Sequence, residues 1–81
     1  MGAKELLLNG LKPVLTEQIR GDIASGKLKQ PVEIETICES VWKHLRTNVQ
    51  TAGAIMAFRI KREEIDSLLK EVFSDLNVEI K

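Results

Sequence analysis

Cysteine is almost absent: Cys38 stands alone. No intrachain disulfide can form, and a disulfide-stapled secreted fold is excluded. Tyrosine is missing altogether, and the aromatics come down to Trp42, Phe58 and Phe73, so aliphatic side chains must do most of the packing. Five glycines and two prolines are too few for a linker or a fibrous chain. Neither charge sign is in excess: 12 lysines and arginines balance 12 acids, with no basic tail and no acidic block. The electrostatic footprint of a nucleic-acid binder is missing from that total, although a balanced total is compatible with a polarised surface. No run approaches the ~20 apolar residues that cross a bilayer, so no membrane partner is expected. Met1-Gly2-Ala3-Lys4-Glu5 lacks the pattern of a signal peptide, and Leu6 stands where a myristoylation signal wants Ser or Thr. The expected location is cytoplasmic.

What is present is a folded domain. Hydrophobic residues make up 43% and charged residues 30% of 81, the balance of a globular chain rather than a disordered one. One domain over 1–81 is expected. A chain this short buries only about 60% of the surface its unfolded form exposes, so its core is thin and an interface with a second copy would help it.

Helical periodicity dominates. Leu7, Leu11, Leu15, Ile19 and Ile23 recur at spacing four, widened by Leu8 and Val14. Asn9-Gly10 and Pro13 interrupt this stripe. A proline inside a helix costs about 3 kcal/mol, whereas in the first turn it is nearly free. Two helices are therefore expected here, Ala3 to Leu8 and another from about Lys12, with one kinked helix as the alternative. Ser25-Gly26-Lys27 is a stop signal, since glycine accepts the left-handed conformation. Pro31 suits the first position of a second helix, Val32 to Thr47, whose face is Ile34, Ile37, Cys38, Val41, Trp42 and Leu45. The segment Ala52–Phe58 is apolar on all sides; helix is preferred, as the buried centre of the fold. The last helix carries Ile65, Leu68, Leu69, Val72, Phe73 and Leu76 on one face and ends at Ser74–Asn77. The fold class expected is mainly α, a small bundle of three to five helices. The alternative is α+β, with a short strand pair over 54–61 and 77–81.

Catalytic groups do not converge. Cys38 and His44 lie six residues apart on one helix, about 120° apart around it, and cannot meet there. Cys38 lies on the apolar face and reads as a small buried hydrophobe. His44 sits in a basic last turn, where cations complement the helix dipole. One Cys and one His do not make a metal site. Glu33, Glu35 and Glu39 form the best acidic group and read as a solvated face. No phosphate-binding glycine loop is present. No catalytic residue, metal or cofactor is assigned, and no enzyme is expected.

Two strings resemble DNA-binding families. Ile19-Arg20-Gly21-Asp22-Ile23-Ala24-Ser25-Gly26-Lys27-Leu28-Lys29 is similar to the opening helix and turn of GntR-type winged-helix repressors, over about eleven residues; Gln30-Pro31 then replaces the usual Pro-Gly, and no serine-arginine recognition helix follows. Phe58-Arg59-Ile60-Lys61-Arg62-Glu63-Glu64-Ile65-Asp66-Ser67-Leu68-Leu69 resembles the strand-into-helix end of excisionase-type helix-turn-helix modules, without their upstream recognition helix. The two point to different families, and no family is assigned. Both imply a small DNA-binding regulator. Arg59, Lys61 and Arg62 are the densest basic cluster and would contact phosphates, extended by Lys27 and Lys29 if the fold brings them close.

Apolar surplus points elsewhere. Four amphipathic segments plus Ala52–Phe58 are much to bury in 81 residues. Trp42 borders its helical stripe, and aromatic anchors are favoured at interfaces. The leucine-rich start offers Leu7, Leu8 and Leu11. The function expected first is a non-enzymatic protein–protein interaction, regulatory or adaptor module, pairing with a protein partner or with itself as a homodimer. A nucleic-acid partner comes second.

Overall fold

A computed structural model describes residues 2–81 and contains four helices: α1 (Ala3–Ala24), α2 (Ile34–Thr47), α3 (Val49–Phe58) and α4 (Arg62–Asp75). The mainly α bundle expected from periodicity is what forms. Its long axis measures 34 Å, the length of α1 alone at 1.5 Å per residue.

α4 is the centre. Ile65, Leu69, Val72 and Phe73 on its apolar face are the most deeply buried side chains of the molecule. α1 packs on one flank of α4, and α2 packs on α4 and α3. Leu15 and Ile19 of α1 and Cys38 and Leu45 of α2 complete the core with Val32, Ile60, Leu68 and Val78. α1 and α4 run parallel: Lys4 Nζ pairs with Glu64 at 2.7 Å, and Lys12 Nζ pairs with Asp75 at 3.1 Å and Glu71 at 3.5 Å. The hydrogen bond to Asp75 raises the Lys12 pKa. The hydrogen bond from Lys4, followed by that from the Lys61 N–H, lowers the Glu64 pKa.

α1 is one helix, not two, and Pro13 lies inside it. Leu7, Leu8 and Leu11 pack against the core on one side of the proline, and Leu15 and Ile19 are buried on the other. Burying an aliphatic side chain is worth about 1.5–3 kcal/mol. The joint packing of five outweighs the ~3 kcal/mol that the proline costs. Pro13 itself is exposed, so its ring disturbs only the solvent side.

The second helix starts at Ile34 rather than Val32. Pro31 follows a cis peptide bond from Gln30. Val32 is committed elsewhere: its N–H donates to the Glu79 carbonyl at 2.8 Å, and the Lys81 N–H donates to its carbonyl at 2.9 Å. This parallel bridge between Val32 and Ile80 takes the place of the strand pair 54–61 with 77–81. Residues 54–58 are helical and are not available as a strand.

α2 and α3 meet at Asn48, which ends one helix and caps the other; its side chain accepts from the Gln50 N–H at 3.0 Å. Arg59 closes α3 in the left-handed conformation, φ 52°, with the Ile60 N–H returning to the Ile55 carbonyl at 3.0 Å. At the start of α4 the Glu64 carboxylate accepts from the Lys61 N–H at 3.0 Å, one half of a capping box. Gly26 takes its turn at φ 83°, where glycine alone is unstrained.

α3 is not the buried centre. None of its residues is fully buried. Thr51, Ala52, Ala54 and Ile55 are half-buried on its inner side, and the rest are exposed. α4 already fills the centre, so α3 is left as an outer layer on α2.

Candidate functional site

α3 carries no charged residue. At 100° per residue its positions Val49, Gly53, Met56 and Ala57 fall on one face, and all four are exposed. Val49 is 86% and Met56 81% exposed. Its own helix backbone and chain neighbours aside, nothing among the described residues lies within 4 Å of where a Cβ on Gly53 would stand. The result is an uncharged outward strip with a gap at its middle, bordered by the exposed amide of Gln50. The sequence signal for it was the unbroken apolar composition of 52–58, which periodicity alone reads as burial.

The leucines of α1 divide. Leu7 and Leu11 line a small apolar dimple with Leu45, Ala54, Ile55 and Ile60, and Leu8 packs on the core. These three are largely used inside the molecule. Leu6 and Val14, about 60% exposed, are the open ones on this helix.

α1 and α2 face one another across a groove of about 330 Å³. Its floor is Leu15, Ile19, Leu28, Ile37, Val41 and Leu45. Gln18, Thr36, Ser40 and His44 stand along it, and Asp22 is the one carboxylate in the lining. No lysine or arginine lines it.

Trp42 is half-buried and lies in a shallow depression with Glu39, Lys43, Arg46, Thr47 and Arg62. Arg62 also pairs with Asp66 at 3.6 Å and Glu35 at 3.7 Å. The basic residues singled out in the sequence are not one surface. The Arg59 carbonyl accepts from Lys4 near the start of α1, while the Leu28 N–H donates to the Asp22 carbonyl near its end. Roughly 27 Å of helix separates Lys4 from Asp22, so Lys27 and Lys29 do not extend the Arg59–Arg62 cluster. Lys43 and Arg46, near the end of α2, lie with Arg62 instead.

Cys38 and His44 are not brought together. Cys38 is buried, and desolvation, reinforced by the neighbouring Asp66 carboxylate, pushes its thiol up to about 11. His44 is exposed. Among the described residues no group of three metal-ligating side chains occurs, and no helix is long and apolar enough to cross a membrane. No family model, curated protein or solved structure matches this chain.

Proposed function

We propose that the protein is a non-enzymatic interaction module that pairs with a second copy of itself through the outer face of α3. The observation that carries this reading is the exposed, uncharged strip Val49–Gly53–Met56–Ala57. An isologous contact must be self-complementary. With two α3 helices antiparallel and Gly53 at the axis, Val49 of one copy faces Ala57 of the other, large against small, and the glycines permit close approach. Antiparallel pairing also opposes the two helix dipoles. A ten-residue helix offers less than the ~800 Å² per partner of a stable complex, so the dimer is a weak one that dissociates on dilution. Dilution followed by amide NMR tests this reading. Shifts concentrated at 49–57 support it; concentration-independent spectra reject it.

A second reading rests on the depression around Trp42. Lys43, Arg46 and Arg62 beside an aromatic ring would suit a nucleic-acid strand, with phosphates on the cations and a base on the indole. Glu39 in the same lining and the pairing of Arg62 with Glu35 weaken it. Salt-sensitive binding of an oligonucleotide that is lost on Lys43→Ala and Arg46→Ala favours it; no binding at low salt ends it.

A further inference from the structure

The groove between α1 and α2 is lined by no residue of α3 and so is separate from the α3 strip. Its floor is aliphatic on both walls: Leu15 and Ile19 one turn apart on α1, Ile37, Val41 and Leu45 one turn apart along α2. Ile37 and Val41 are only half-buried, because no helix among the described residues fills the groove they line. On α1 the lined stretch runs from Leu15 to Asp22 and on α2 from Thr36 to Leu45, roughly 10–14 Å of helix. That length accommodates about two turns of a third helix, presenting anchors at spacing three and four.

Charge then selects among such helices. Asp22 lies in the last turn of α1, where no basic residue stands. A carboxylate there faces the negative end of the helix dipole and is unfavourable. Its side chain forms no ion pair or hydrogen bond within the described residues. The placement therefore costs the free protein something and returns nothing internally. A cation on the occupant would meet Asp22 at the edge of an apolar floor that no lysine or arginine of this chain lines.

We infer that this groove is a docking site for an amphipathic helical segment of another protein, with aliphatic side chains seated on Ile19, Ile37 and Val41 and a lysine or arginine paired with Asp22. The surface is independent of the α3 contact. A chain that carries both joins two copies of itself to two copies of a partner.

The test uses the full chain and a designed, fluorescein-labelled amphipathic peptide with leucines at spacing three and four and a lysine at one end, measured by fluorescence anisotropy and amide NMR. The expected result is saturable binding with shifts at Ile19, Asp22, Ile37 and Val41. Val41→Glu abolishes it. Asp22→Lys weakens it by roughly three- to tenfold while helix content and melting temperature hold or rise, because a cation at that helix end is favourable. A structural role for Asp22 predicts the opposite sign in melting. Replacing the peptide's lysine by glutamate weakens binding to the unaltered protein to a similar degree. Met56→Glu leaves peptide binding intact, which separates this site from self-association. Absence of binding, shifts elsewhere, equal binding of lysine and glutamate peptides, or shifts at Val41 on diluting the protein alone would each overturn the inference.

Discussion

The Cys38 thiol of α2 packs beside the Asp66 carboxylate of α4, and burial together with that negative charge holds the thiol protonated to about pH 11. Asp66 Oδ1 is itself buried without a hydrogen-bond partner among the described residues, and its other oxygen lies 3.6 Å from Arg62 Nε. The only cysteine is thus kept in its unreactive form at the α2–α4 contact.

Reactivity follows from that. The thiolate is the attacking species, so at pH 8 alkylation of native Cys38 should run about a hundredfold slower than in the denatured chain from the pKa difference alone, with burial slowing it further. Asp66→Asn should speed it. The sign for stability runs the same way: a raised thiol pKa favours the fold below about pH 9 and loses that contribution as pH rises through about 11. Timed mass spectrometry of alkylated protein reads the first effect, and alkaline melting curves read the second.

Pro13 gives a prediction about α1. Pro13→Ala restores a helical N–H at an exposed position. The gain of up to about 3 kcal/mol is offset by the extra freedom of the unfolded chain, roughly 1 kcal/mol. A net rise of about 1–2 kcal/mol in urea denaturation is expected. A loss of stability would mean that the helix needs the proline's shape.

The hydrogen bond between Lys4 and Glu64 sets an acid dependence. Glu64 titrates below its ordinary 4.5, first because of Lys4 and then because of the Lys61 N–H. Its contribution to stability is therefore full above about pH 4.5 and is lost as pH falls through the lowered value. Lys4→Met should raise the Glu64 midpoint without returning it to 4.5, since the Lys61 N–H remains. An NMR titration of the Glu64 carboxyl carbon checks both parts.

Much of this fold is written locally. The faces of α2 and α4, the stop at Gly26 and the end of α4 at Asp75, just before the left-handed Asn77, follow from spacing and from turn chemistry. What sequence spacing misses depends on distant partners. Pro13 argues for a break in α1, but the leucines on both sides of it are held by α4. Val32 reads as helix until Ile80 claims it across the fold. Ala52–Phe58 reads as core because apolar composition does not say whether a chain has interior to spare; here α4 uses it. The α3 strip was legible as composition and not as exposure. The groove was not legible at all, since Asp22 and Val41 meet only through the packing of α1 and α2 around α4.

The most direct test of the central claim is sedimentation equilibrium of the full chain over a wide concentration range, with Met56→Glu alongside. The account predicts a monomer at high dilution, a dimer as concentration rises, and a Met56→Glu protein that keeps its helix content and stays monomeric throughout. A wild-type protein that remains monomeric at every concentration, or a Met56→Glu variant that dimerises as strongly as the wild type, would contradict it.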